Sequence, residues 1–495
     1  MKFNRSSGIL LHPTSLPGPD GIGDLGPEAY RWVHFLKESG CKLWQILPLG
    51  PTGYGDSPYQ CFSAFAGNPY LVSPTLLLEE SLLTPQDLSE QPQFPSQQVD
   101  FGSVIPWKLT ILDRAFARYK QNNDKNLAGE LEDFAAEQNF WLNDFALFMA
   151  IKESQGGVSW SEWPATLRHR DPKALQGFAK ANADAVQRHI FRQFLFFRQW
   201  SALRSYANTA GIQIIGDIPI FVAYDSADAW SHPELFHLDK KGLPTVVAGV
   251  PPDYFSPTGQ LWGNPLYNWK VHQAAGYSWW IERFKASLQL VDIIRLDHFR
   301  GFAGYWEVPY GNPTAEIGRW VKGPGHSLIE AIQTALGGLP IIAEDLGKIT
   351  PDVVKLRDDF NLPGMRIMQF AFSGDASDPF LPHNYIENCV AYTGTHDNDT
   401  VTGYYQTAPE HEKDFMRRYL ARSGNDIAWD MIRSIWGSVA VMSIAPMQDF
   451  LRLGNKARMN FPGKASGNWG WRMAADALTP GLQNEIININ TVFGR

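Results

Sequence analysis

Short runs of apolar residues, each closed by Gly, Pro or a charged side chain, recur along the chain. They fall at residues 8–13, 43–50, 212–222, 291–299, 339–347, 365–370, 389–397 and 439–450. Continuous apolar runs of this length suit parallel strands covered on both faces. Helical patterns lie between them. Residues 27–40 open with Pro-Glu and stop at Gly, and residues 187–211 form an amphipathic pattern that also stops at Gly. Residues 325–338 and 350–361 open with capping positions. Alternation of strand and helix repeated eight times predicts an α/β fold, a (β/α)8 TIM barrel.

The spacing of the runs is uneven, which predicts helical and loop insertions between barrel strands. One barrel is expected over residues 1–495, with a mainly helical subdomain inserted at about 52–185, after the second strand. Its expected helices cover 107–123 and 127–153. A loop subdomain, rich in Pro, Gly and aromatics, is expected at about 223–276, after the third strand. The Pro/Gln/Ser stretch 83–98 reads as a surface loop.

Composition narrows the partners. The formal charge is −8 and no basic run stands out, so nucleic acid is not an expected partner. The start of the chain holds only a four-residue apolar run, short for a signal peptide, and no stretch has the length of a membrane span. Three widely spaced cysteines suggest neither a disulfide framework nor a zinc ribbon. The expectation is a soluble, cytoplasmic protein that does not engage a membrane. The 18 tryptophans serve either a large core or stacking platforms for flat ligands such as sugars.

Chemistry in such a barrel sits where the strands end. Here the runs end in His12, Asp217, Arg295–Asp297–His298, Glu344–Asp345, Gln369, His396–Asp397 and Gln448–Asp449. Side chains alternate along a strand, so Val291, Ile293, Arg295 and Asp297 share one face. Arg295 can hold the Asp297 carboxylate, which then serves as a nucleophile, a metal ligand or half of a structural ion pair. Glu344 follows Leu-Pro-Ile-Ile-Ala, an apolar setting suited to a general acid, while Asp345 is the better helix-capping candidate. Asp397 follows a strand end with Gly394. Three convergent carboxylates suit an oxocarbenium-like transition state at a sugar anomeric carbon. No H-x-x-x-H or H-E-x-x-H exists, so no metal is expected, and the Gly-rich stretch 50–59 lacks the Lys-Ser/Thr of a phosphate-binding loop.

Several stretches carry a closer resemblance. They are GILLHPTSLPGPDGIGDLG, WQILPLGPTGYGDSPYQCFSAFAGNPYLVSP, GDIPIFV, GVPPDYFSPTGQLWGNPLYNW, IIRLDHFRGF, IIAEDLG, GTHDNDT and RMNFPGKASGNWGWR. With them the chain, from Gly8 onward, resembles the amylomaltases, or 4-α-glucanotransferases, of the α-amylase superfamily, in their short bacterial form. The resemblance implies Asp297 as nucleophile, Glu344 as acid/base and Asp397 as transition-state stabiliser. It implies sugar contacts from Tyr59, Asp217, Arg295, His298 and His396. It also implies stacking by Tyr254, Phe255 and Trp262 of a loop over the cleft, a contact from Asn468, and an outer glucan contact at Tyr54. The implied substrates are α-1,4-glucans: maltooligosaccharides, starch or glycogen chains. No cofactor or metal is implied. An α-1,4-glucan hydrolase of the amylase type and a non-catalytic glucan-binding protein are the alternative readings.

Overall fold

The structure, a computed structural model, describes residues 3–252, 256–464 and 466–495. Its strands in chain order are β1 (Ser6–Leu10), β2 (Leu43–Gln45), β3 (Gln213–Ile218), β4 (Val246–Val250), β5 (Gln260–Pro265) and β6 (Ile293–Leu296), followed by β7 (Gly304–Pro309), β8 (Arg319–Lys322), β9 (Ile341–Ala343), β10 (Gly364–Ile367), β11 (Cys389–Tyr392) and β12 (Met442–Pro446). Eight of them close into a barrel in the order β1-β12-β11-β10-β9-β6-β3-β2. All the barrel pairings are parallel. The predicted (β/α)8 barrel is present.

Alternation along these strands sorts residues into two cores. Leu10, Leu43, Ile215, Ile293, Ile342, Met365, Val390, Tyr392 and Ile444 fill the barrel interior. Ile214, Ile294, Ile341 and Ala391 face outward into the larger core under the helices. Register then aligns the polar tips: β3 pairs with β6 so that Ile215 lies beside Ile293 and Asp217 beside Arg295. The inner face of β6 therefore carries Ile293 and then Arg295, and Asp297 follows just past the end of the strand, at the mouth.

The apolar runs outlast the ladders. β2 ends at Gln45 although residues 46–49 stay buried; Ile46 N–H still donates to the Ile215 carbonyl, and Leu47 packs on Met459 and Trp469. The runs read to 370 and 450 turn helical before they end. Met368–Phe372 is a 3-10 turn and Met447–Phe450 a short helix, so Gln369, Gln448 and Asp449 lie beyond their strands.

Between β2 and β3 the chain builds helices Phe101–Asn122, Lys125–Glu137 and Leu142–Ser154, then the long helix Ala183–Thr209. The first starts before the expected 107. Pro106 costs it one backbone hydrogen bond, but burial of Val104, Trp107 and Ile111 holds the turn on either side. The expected helix 127–153 is two helices, broken at residues 138–141. The long helix is not amphipathic along its whole length. Residues 189–197 are all buried, because helices of the insertion pack on the side away from the barrel. Neither Gly325 nor Thr350 makes a side-chain cap to its helix.

The segment expected as a loop subdomain is partly sheet. β4 pairs antiparallel with both β5 and β7, and β7 with β8, giving the order β5-β4-β7-β8. Half of this sheet comes from beyond β6, so no local pattern in 223–276 reveals it. Most tryptophans are core residues. Trp32, Trp44, Trp200, Trp280 and Trp436 are fully enclosed, which settles their use in favour of packing.

Candidate active site

The mouth of the barrel collects charge in a stacked order. The most enclosed is Asp217, with its side chain 0% exposed. Its Oδ2 accepts from Arg295 Nη1 at 2.6 Å and from the Tyr59 hydroxyl at 2.8 Å. The same Arg295 Nη1 donates to Asp297 Oδ1 at 2.8 Å, and the Asp297 side chain is 28% exposed. Arg295 thus stands between a buried carboxylate and one that reaches the cleft. Burial pushes Asp217 up to about 7, against the pull of Arg295. Arg295 itself is held well above its ordinary value; burial opposes its charge, but Asp217 and Asp297 outweigh it. Burial holds the Tyr59 phenol well above its usual range, so it donates as a neutral hydroxyl. In this arrangement Asp217 supports Arg295.

Glu344 follows β9 on the inner side of the wall. Both its oxygens accept backbone N–H groups, Oε2 from His298 at 2.7 Å and Oε1 from Leu346 at 2.9 Å. His298 presents its N–H from a left-handed conformation, with φ of 50°. Burial, and after it the charge of Asp297, pushes Glu344 up to about 8. The two backbone donors oppose that shift but do not cancel it. The dependence on Asp297 places the two carboxyls in one electrostatic neighbourhood, one protonated at neutral pH. That is the division of roles expected of an acid and its partner. The His298 ring is uncharged, held down to about 4 by burial, and meets Trp262 edge-on at 4.8 Å. Gly301 makes room for it: a Cβ there would lie 3.1 Å from the His298 ring and 2.6 Å from Ile220.

Across the mouth, residues 393–400 leave β11 as an irregular loop. His396 stacks on Tyr59 with centroids 5.0 Å apart, and Trp469 flanks both. Burial lowers His396, keeping it neutral. Gly394 lets this loop approach, since a Cβ there would meet the Gln369 amide at 2.6 Å. The Asp397 side chain is 49% exposed. Its Oδ1 accepts from Asn460 Nδ2 at 2.6 Å, and its backbone carbonyl from Arg458 Nη2 at 2.7 Å. His12 lies near His396; it is buried, held down to about 3, and accepts the Leu47 N–H at Nδ1.

Asn468 is tied within its own loop: its Oδ1 accepts from the Phe461 N–H at 2.9 Å and its Nδ2 donates to the Lys464 carbonyl at 2.8 Å. Tyr54 lies on a 3-10 turn, 77% exposed, outside the polar cluster. Tyr254 and Phe255 fall outside the described residues. Asp345 caps no helix. It accepts from Arg357 at 2.5 Å and from the Met365 N–H at 2.7 Å, tying the end of β9 to β10. Nothing local in the sequence singles out Asn460 and Arg458. They lie in one of the resembling stretches, but no spacing marks them, because their partner is some 60 positions earlier in the chain. Among the described residues no group of three or more His, Cys, Asp or Glu could hold a metal ion.

Residues 11–478 match the 4-α-glucanotransferase family. A 4-α-glucanotransferase of Thermus thermophilus is 53% identical, covering 97% of each chain. One from Synechocystis sp. is 50% identical, covering all of this chain and 99% of the relative. The solved amylomaltase of Streptococcus agalactiae, in complex with acarbose, superimposes with a TM-score of 0.96 at 41% identity, covering 99% of both chains. The amylomaltase of Corynebacterium glutamicum shares the fold, with a TM-score of 0.78 at 18% identity. The chain belongs to the 4-α-glucanotransferase family.

Proposed function

We propose that this transferase works by retention through a covalent glycosyl-enzyme on Asp297. It moves segments of α-1,4-glucan from one maltooligosaccharide, starch or glycogen chain to the 4-hydroxyl of another glucan or of glucose. The observation that carries the proposal is the pairing at the mouth. Asp297 is oriented by Arg295, and next to it stands Glu344, a carboxyl pushed up to about 8 and so protonated at neutral pH.

In the first step Glu344 gives its proton to the glycosidic oxygen while an Asp297 oxygen attacks the anomeric carbon from the opposite side. The C–O bond to the departing chain breaks and a bond to Asp297 forms. In the second step the acceptor hydroxyl gives its proton to Glu344 and displaces Asp297. Two inversions leave the α linkage intact. Asp397 stands beside the anomeric centre, and its negative charge stabilises the positive charge that develops in both steps. Glu344 must swing off the His298 and Leu346 N–H groups, or share them, to reach the leaving oxygen.

Incubation with maltotriose tests the proposal. A ladder of longer maltooligosaccharides with glucose is expected, and maltose with glucose alone would make the protein a hydrolase. Mass spectrometry of the protein trapped with a glycosyl fluoride should find the label on Asp297; a label on Glu344 would reverse the two roles.

A further inference from the structure

The geometry points to Asn460 as the residue that positions Asp397 for transition-state stabilisation. Its Nδ2 donates to Asp397 Oδ1 at 2.6 Å, a short bond to a side chain that is otherwise half exposed. The clamp is reinforced on three sides. Asn460 N–H donates to the His396 carbonyl at 3.1 Å, Arg458 Nη2 to the Asp397 carbonyl at 2.7 Å, and Arg458 Nε to the Asn460 carbonyl at 2.7 Å. The other oxygen, Asp397 Oδ2, lies 3.4 Å from His396 Nε2.

An aspartate on an irregular loop has two free side-chain torsions. Fixing one oxygen leaves the other at a defined place and orientation in the cleft, so the carboxylate is arranged before substrate arrives. Preorganisation of this kind is worth most where charge develops in the transition state, and least in ground-state binding. Asn460 carries no charge and holds its place through its backbone, so it acts through Asp397. It is a positioning residue, and the inference rests on the role proposed above for Asp397.

The test is a double-mutant cycle read by acarbose affinity and by maltotriose transfer, using the full-length protein. Asn460→Ala is expected to weaken acarbose by about 10-fold and to lower kcat by a similar factor with KM little changed. The isosteric Asn460→Asp, which loses the donor while keeping the shape, should do at least as much. In an Asp397→Asn background the same Asn460→Ala change should alter acarbose affinity less than about 2-fold. Asn455→Ala is the control. Asn455 ties the same segment to Asp399 Oδ2 at 2.7 Å, and its loss should leave affinity and kcat unchanged. Equal losses from Asn460→Ala in both backgrounds, or an equal loss from Asn455→Ala, would reduce Asn460 to a loop anchor and overturn the inference. So would wild-type behaviour of Asn460→Asp. An Asp397→Asn variant that transfers and binds like the wild type would sink the role of Asp397 first, and this inference with it.

Discussion

The two walls of the cleft hold their carboxylates by different means. On the wall made by β3, β6 and β9, the groups are set by strand register. Asp217 lies beside Arg295, Asp297 is two residues further on the same face, and the chain of contacts runs through one guanidinium. On the opposite wall, Asp397 sits on a loop after β11 and is gripped by Asn460 and Arg458 from the loop after β12. The first wall is stiff because its polar residues continue a buried ladder. The second is stiff only as far as side chains from a distant segment make it so. A barrel can thus place a nucleophile by alternation along one strand, whereas its third carboxylate depends on the closure of two loops.

Perturbing each wall should separate these modes. The largest effect belongs to the nucleophile. Asp297→Ala should lower transfer roughly 10⁵-fold or more and abolish the glycosyl adduct seen by mass spectrometry. Retained labelling at another carboxylate would break the assignment of the first wall.

Glu344→Gln should cost roughly 10²–10⁴-fold with maltotriose as donor. The first step should recover when the donor is a glycosyl fluoride, whose leaving group needs no proton. In the wild type, Glu344 raised to about 8 predicts the pH limb. Glycosylation needs the protonated form, so kcat/KM for maltotriose should hold below that value and fall as pH rises through about 8. For the fluoride donor this limb should be absent. A limb of the same position with both donors would point to a different group.

Arg295→Met probes the stiffness of the wall itself. Removing the buried cation leaves Asp217 without its ionic partner, a loss of about 3–5 kcal/mol for a buried pair broken on one side. Thermal or urea unfolding should register it. The double variant Asp217→Asn/Arg295→Met should recover part of the loss, because no buried charge is then orphaned. Additive losses would mean that the pair is not the unit of stability here.

The smallest effect is expected at the far end of the second wall. Among the described residues Asn468 ties its own loop, so Asn468→Ala should cost about 1 kcal/mol or less in stability and leave labelling of Asp297 intact. A large loss of transfer with unchanged stability would show that Asn468 reaches the sugar during turnover, as the family resemblance implies.

What the amino-acid sequence determined by itself is what local periodicity can encode. Eight apolar runs specify eight strands, and alternation along β6 puts Ile293 in the barrel and Arg295 above it, with Asp297 just past the strand end, whereas Val291, before the strand, packs in the outer core and not on their face. The apolar approach to Glu344 foretells its raised pKa, since burial is its first cause. Tertiary structure alone decided everything that joins distant segments. It built a second sheet from β4 and β5 together with β7 and β8, on either side of β6. It enclosed Asp217 beside Arg295 and tied Asn468 to its own loop. It also brought Asn460 to Asp397 across 63 positions of chain. The physical reason is one of range. Side-chain direction along a strand is fixed by backbone geometry within a few residues, while a hydrogen bond between two loops exists only after the barrel has closed and set the distance between them.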